Sequence, residues 1–312
     1  MVVTIIGKSN FAGKIAKVVT KSVFIEIEER IFPDDEVCPR LLISDENQLK
    51  GSHAVIAMQL ESNQPRNQYL ISLFWTIYNV KRYNPERISC IMPYHLYSRQ
   101  DRESRKGEPI SSLFLALALE AAGINDFVTF NSHTYGKVDI NQFFSNSHAS
   151  DLSAIPILGT TLKSRLTNPQ ETICLAPDEG ALFLAKEIAK ILNTSFFAAI
   201  QKYRDPETGE ISQKLIGIPF EIENRSVVII DDLVSSGKTM IGAAQILKKK
   251  GAKEVIFAYI HAVHSPTSFS LMQEVNPTLI ITTDTIETDI SGLTTVSVIP
   301  LISSWIEENS KL

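Results

Sequence analysis

Ser226-Val-Val-Ile-Ile-Asp-Asp-Leu-Val-Ser-Ser-Gly-Lys-Thr239 is an apolar, β-branched run that meets two adjacent carboxylates and then a small-residue turn. It reads as a buried strand, a loop and a helix start. In an open parallel sheet, ligands bind at the carboxyl ends of the strands. The turn formed by Ser235, Ser236, Gly237, Lys238 and Thr239 offers backbone N–H groups, hydroxyls and an ammonium to an anion at a helix N-terminus. Asp231 and Asp232 cannot serve the same anion, because like charges repel. They suit vicinal ribose hydroxyls or a metal ion. The run therefore reads as a site for a sugar phosphate. An ATP-type P-loop would share Gly237-Lys238-Thr239, but its first glycine would fall at 232, which is Asp.

The same strand–helix rhythm continues outward in both directions. Strands are expected at 2–6, 54–58, 88–92, 127–130, 172–175, 226–230, 254–259, 278–282 and 295–299. Helices are expected at 10–19, 64–81, 111–122, 179–192, 238–250, 266–274 and 300–308. Alternation of this kind implies α/β architecture with parallel sheets covered on both faces. The polar segment 141–151 lacks periodicity and marks a division into domains 1–148 and 149–312, with the last helix expected to pack on the first. A second polar segment, 202–213, holds Pro206 and Gly209 and reads as a mobile loop or hairpin tip.

Composition sets the class. The chain has 312 residues, 44% hydrophobic and 21% charged, with a formal net charge of -5. It is long enough for about two domains. Mild acidity without a Lys/Arg field argues against a nucleic-acid surface. Cys38, Cys90 and Cys174 are odd in number and far apart, which fits neither a disulfide framework nor a paired zinc site. The amino-terminal residues read as a strand rather than a secretory signal, and no apolar stretch is long enough to span a bilayer. A cytoplasmic protein without nucleic-acid or membrane partners is expected.

Other polar segments follow strand ends. Tyr97-Ser-Arg-Gln-Asp-Arg-Glu-Ser-Arg-Lys-Gly-Glu-Pro-Ile-Ser111 is a cationic loop leading into a helix, suited to a polyphosphate. Composition alone would equally allow a solvated charged loop. Ala176-Pro-Asp-Glu-Gly-Ala181 opens a helix and would satisfy a helix cap as well as an anion site. Gln201-Lys-Tyr-Arg204 sits at the base of the second polar segment.

Taken together in chain order, these segments resemble the ribose-phosphate pyrophosphokinase family. The run 226–239 is similar to the phosphoribosyl-binding motif that this family shares with type I phosphoribosyltransferases. Arg-Gln-Asp followed by Gly-Glu-Pro-Ile-Ser resembles its ATP loop, which ordinary phosphoribosyltransferases lack. Details at 107–111, 151–156 and 283–286 look most like the archaeal branch.

The resemblance implies two phosphoribosyltransferase type I-like domains, each with a mainly parallel sheet flanked by helices. It implies transfer of the pyrophosphoryl group of Mg-ATP to the anomeric hydroxyl of ribose 5-phosphate. ATP would be held by Phe32, Asp34 and Glu36 of the segment 30–36, a hairpin loop that in the family reaches a neighbouring subunit, and by Arg99, Gln100, Asp101 and His133. Ribose 5-phosphate would meet Asp231, Asp232 and the turn Ser235 to Thr239. Asp178, Glu179 and Gly180 would form the pyrophosphate loop, His133 and Asp178 would hold Mg²⁺, and Lys202 and Arg204 would be catalytic under a lid at 205–213. A homodimer or higher assembly, up to a hexamer, is implied. The chain departs from the family at Asn131, usually Asp, at Lys238, usually small, and at Ile-His-Ala over 260–262. Those departures leave room for a larger acceptor such as ADP-ribose. A catalytically silent regulatory homologue would be expected to have lost some of these residues.

Overall fold

The computed structural model describes residues 2–204, 211–214 and 220–310. The chain forms two units: Met1–Leu152 with Val298–Leu312, and Ser153–Ser297.

The first unit runs β1 (Val3–Gly7), α1 (Ala12–Val18), β2 (Ser22–Ile31), β3 (Val37–Leu41), β4 (His53–Ala57), β5 (Leu60–Glu61), α2 (Arg66–Lys81), β6 (Arg87–Ile91), α3 (Ser111–Ala122), β7 (Asp126–Phe130) and β8 (His148–Leu152). Its seven-stranded sheet has the order β3-β2-β1-β4-β6-β7-β8. Only the β2–β3 pair is antiparallel. Every residue of β1, β4 and β7 is buried, so these strands read as mainly apolar runs, with His53 and Asp126 at the starts of β4 and β7. The two edge strands, β3 and β8, and β2 beside the first read differently. β2 alternates acids with apolar residues, β3 carries Pro39, and β8 is His-Ala-Ser-Asp-Leu inside the segment expected to be a linker. Polar and Pro-bearing edge strands are how sheets avoid pairing with other chains. That polarity also removes the apolar signal by which a strand is read.

The second unit runs α4 (Ile155–Arg165), β9 (Ile173–Ala176), α5 (Leu182–Leu192), β10 (Phe197–Ala199), β11 (Gln201–Arg204), β12 (Ile211–Lys214), β13 (Ser226–Val234), α6 (Lys238–Lys249), β14 (Glu254–Ala262), α7 (Pro266–Glu274), β15 (Leu279–Thr283), β16 (Ile286–Glu287) and β17 (Thr294–Val296). Its sheet is parallel throughout, in the order β10-β9-β13-β14-β15-β17. Val227, Ile229 and Phe257 of the sheet pack with Met240 and Leu247 of α6 and Met272 of α7. β11 and β12 form a separate antiparallel hairpin.

The chain ends in α8 (Ile299–Asn309), which belongs to the first unit. A buried polar relay fastens it. Arg87 grips Asp126 through Nε and Nη2, both at 2.7 Å, and its Nη1 donates to the Asn309 carbonyl at 2.9 Å. Ser89 donates to Asp126 at 2.7 Å, so the Ser89 oxygen receives the Nε2–H of His53, also at 2.7 Å. Nδ1 of His53 then accepts from the Ser310 hydroxyl at 2.9 Å. Burial, with the Arg87 charge nearby, holds His53 down to about 4 and therefore neutral.

Candidate active site

The two carboxylates at the centre of the sequence motif lie on β13 itself. The strand was expected to stop at 230, yet it pairs with β14 as far as Leu233↔His261 and Val234↔Ala262. Along this extension the two acids bond neighbouring backbone N–H groups. The Asp232 N–H donates to Asp231 Oδ1 at 2.9 Å, and the Leu233 N–H to Asp232 Oδ1 at 2.7 Å. Both side chains are half-buried. Burial, the adjacent Asp232 charge and the charge of Asp178 push the Asp231 carboxyl well above the usual carboxylate range.

Asp178 follows β9, which lies beside β13 with Leu175 opposite Ile229. Its side chain accepts from the Gly180 N–H at 3.0 Å and caps the short turn Glu179–Ala181 ahead of α5. Asp178, Glu179 and Gly180 therefore sit at the same sheet end as Asp231 and Asp232. The turn after β13 leaves Ser235, Ser236 and Lys238 exposed and Thr239 half-buried. Gly237, at φ +71°, is the residue from which α6 starts. A β-carbon there would stand 2.6 Å from Met272 Cγ, so the turn closes tightly against α7. The hairpin of β11 and β12 springs from this end too, since Ile200 N–H bonds the Ala176 carbonyl. Lys202 and Arg204 pair with Gln213 and Ile211 in its ladder and are described at the backbone. Of the expected lid, 205–210 lies outside the described residues.

In the first unit, the loops after β6 and β7 come together. Gln100 turns the loop onto α3: its carbonyl accepts from the Ser112 N–H at 3.2 Å and from the Ser112 hydroxyl at 3.0 Å. Its side chain holds the Ser111 hydroxyl. Arg99 is exposed, and Asp101 is forked by Arg102 at 3.1 and 3.2 Å. The backbone N–H of His133 approaches Ser98 Oγ at 3.5 Å, which joins the two loops. Sequence reading gave no role to Asp151, which binds the residue before His133: Ser132 donates its hydroxyl to Asp151 at 2.6 Å and its N–H at 3.1 Å. Asp151 belongs to β8, inside the segment that looked like a linker, and although it opens the family-like stretch 151–156, nothing in the sequence tied it to His133.

Phe32, Asp34 and Glu36 stand at the tip of the β2–β3 hairpin. The hydrogen bonds there are internal, Phe32 N–H to the Glu36 carbonyl and Glu36 N–H to Asp34, and Arg30 covers the Phe32 ring at 4.3 Å. An open cavity of about 490 Å³ is lined by Phe32, Pro33, Asp34 and Glu36. β1 and β4 stand between β2 and β6 in the sheet, so this tip is not strung beside the Arg99 loop. Two further histidines, His261 and His264, are structural. His261 bonds Thr285 at 2.8 Å, His264 bonds the Tyr259 hydroxyl at 2.7 Å, and both are buried. Cys90 and Cys174 are buried, and desolvation pushes each thiol up to about 12.

Among the described residues, no three His, Cys, Asp or Glu side chains converge as a metal cage. Mg²⁺ does not need one: it commonly takes one or two carboxylates and draws its other ligands from phosphates and water. Asp178 beside the mutually repelling Asp231 and Asp232 fits that pattern. Among the described residues, no helix is long and apolar enough to cross a membrane.

Two family models match the sequence: "N-terminal domain of ribose phosphate pyrophosphokinase" over residues 1–123 and "Phosphoribosyl transferase domain" over residues 156–291. The chain is 30% identical to a ribose-phosphate pyrophosphokinase of Sulfolobus acidocaldarius over 88% of its own length and 89% of the relative. It is 29% identical to one of Corynebacterium glutamicum over 96% and 91%. The crystal structure of a phosphoribosylpyrophosphate synthetase from Mycobacterium smegmatis superposes with a TM-score of 0.85 at 26% identity, covering 100% of this chain and 98% of that one. Archaeal and bacterial relatives stand level in identity, so the expected likeness to the archaeal branch finds no support.

Proposed function

The chain belongs to the ribose-phosphate pyrophosphokinase family, and we propose that it moves the pyrophosphoryl group of Mg-ATP onto the anomeric hydroxyl of ribose 5-phosphate, releasing AMP. The observation that carries the choice of acceptor is the second-unit site. Asp231 and Asp232 lie on one strand, and a Ser-Ser-Gly-Lys turn, exposed except at Gly237, opens α6 immediately after it. The acids receive vicinal ribose hydroxyls, a ligand that relieves their repulsion by donating to both. The turn and the first N–H groups of α6 receive the 5-phosphate. Asp178 is the carboxylate we assign to Mg²⁺, which when bound neutralises phosphate charge. Arg99, Gln100, Asp101 and His133 take the triphosphate.

Transfer at phosphorus is mainly positioning and charge stabilisation. Lys202 and Arg204 supply cations as negative charge spreads over the migrating oxygens. The acceptor's anomeric oxygen forms the bond to the β-phosphorus while the bond from that phosphorus to the α-phosphate oxygen breaks; AMP leaves with that oxygen and the hydroxyl proton passes to solvent.

We infer self-association as well. The Phe32 cavity is lined by one hairpin alone and suits an adenine base closed in by a second chain. The outer faces of α2 and α3, which pack side by side, expose Ile71, Trp75 and Tyr78 on one and Leu113, Phe114 and Leu117 on the other. Exposed apolar side chains grouped on one face, rather than scattered singly, mark an interaction site. Free cysteines and the absence of an apolar spanning helix among the described residues accord with a cytoplasmic enzyme.

The test is a product assay with Mg-ATP and ribose 5-phosphate, following AMP and phosphoribosyl pyrophosphate together. Equimolar appearance is expected. AMP formed only with ADP-ribose would move the acceptor assignment, and no AMP with either acceptor would make the chain a silent homologue.

A further inference from the structure

We propose that Asp151 is a positioning residue for His133, fixing from β8 the turn that presents the imidazole to ATP. The inference rests on the assignment of His133 to the nucleotide. β7 ends at Phe130, paired with Leu152, and Asn131 then adopts a left-handed φ of +34°. That residue keeps its N–H on the Leu152 carbonyl at 3.0 Å, so the chain leaves the sheet directly over the end of β8. Asp151 stands opposite Thr129 in the ladder and meets the turn as it emerges.

Both carboxylate oxygens take part. The Ser132 N–H lies 3.1 and 3.2 Å from Oδ1 and Oδ2, and the Ser132 hydroxyl 2.6 Å from Oδ2. The Ser132 oxygen is also 3.1 Å from Thr134 Oγ1. One carboxylate thus anchors the residue before His133 directly and the residue after it through a shared hydroxyl. Asp151 is half-buried, and desolvation raises it to about 6 despite these donors. A half-buried acid is a costly way to hold a turn whose Asn131, Ser132 and Thr134 are themselves buried, and the geometry gives it a task that a neutral side chain would do less rigidly. Asp151 itself touches no position assigned to a ligand, so its effect must pass through His133.

The experiment is a double-mutant cycle read by ATP-binding calorimetry and, separately, by steady-state kinetics. Asp151→Ala should weaken ATP binding about 10- to 100-fold, the scale on which loss of a group that orients a metal-ligating histidine is felt. The KM for ribose 5-phosphate should not move. In a His133→Ala background the same substitution should change ATP affinity less than about twofold, because coupled residues are not additive. An undiminished loss in that background, or unchanged ATP binding in a folded Asp151→Ala protein, would overturn the proposal. Should Asp151→Ala fail to fold, Ser132→Ala removes only the hydroxyl and should cost about three- to tenfold with the same coupling; no loss would count against it. Wild-type protein that binds ATP but forms no phosphoribosyl pyrophosphate would overturn the assigned reaction and leave this cycle readable. Wild-type protein that binds no ATP would overturn both.

Discussion

A β-carbon at Gly237 would stand 2.6 Å from Cγ of Met272 and 2.9 Å from its sulfur, and Gly237 itself holds φ +71°. Backbone strain and crowding therefore act at one position, the start of the phosphate turn. Gly237→Ala should cost about 2–4 kcal/mol of stability. A Met272→Ala partner relieves the crowding but leaves the strained φ. Thermal melts of the two single variants and the double variant separate the contributions; full rescue by Met272→Ala would show that strain plays no part.

Asp231 carries the cost of the sugar site. Its folded carboxyl is held well above the unfolded value of 3.8, so the ligand-free fold binds more protons than the unfolded chain over that interval. Stability from this group is complete at acid pH and is lost as pH rises through the folded pKa. Asp231→Asn should raise the melting temperature near pH 7.5 by roughly 2–4 °C. The gain should fade towards pH 4. Ribose 5-phosphate affinity should drop about 10- to 100-fold. A lower melting temperature at pH 7.5 would contradict the reading.

His53 gives the opposite slope. Its folded pKa, about 4, lies below the ordinary 6.5, so the fold binds fewer protons than the unfolded chain in that window. The stability it lends is complete above pH 6.5 and is lost as pH falls towards 4. The groups facing it are Ser89, Ser310, Asp126 and Arg87. The stability difference between wild type and His53→Gln should narrow from pH 7.5 to pH 4.5 in urea unfolding curves. A difference independent of pH would place the histidine in the wrong protonation state.

Lys202→Ala should lower kcat roughly 100- to 1000-fold, the scale of losing one charge stabiliser of a transition state. The KM for ATP should stay near that of wild type. Equal loss of ATP affinity and turnover would mean that the lysine holds ground-state substrate.

Trp75→Glu combined with Phe114→Glu should leave the melting temperature within a few degrees, because both side chains already face solvent, at 51% and 71% exposure. Sedimentation should show a smaller assembly at equal concentration. An unchanged sedimentation profile would exclude the α2–α3 face from self-association.

The local signals were strong wherever burial on both faces made a strand mainly apolar and a helix was punctuated by Gly or by Ser-Pro. Helices α3 and α7 fall on the residues that periodicity selects, and Gly123 closes α3 in the left-handed conformation. The sugar-phosphate motif was equally legible, because phosphate turns draw on a few small residues at fixed offsets from a strand. What periodicity could not supply were the edge strands β3 and β8, whose positions demand polar residues, the charged β2 beside β3, and α4, whose Pro156, Gly159 and paired threonines obscure a helix.

By itself, then, the sequence determined the two-fold succession of strand and helix and the identity of the chemical groups at 178, 231–232 and 235–239. Tertiary structure decided which of these groups feel one another. It put Asp178 close enough to raise Asp231, brought Asp151 from β8 onto Ser132, and returned α8 across more than half the chain to the Arg87–Asp126 relay. Each depends on strand order and register between segments far apart in sequence. Such pairings are fixed by the packing of whole sheets, and no local pattern of residues encodes them.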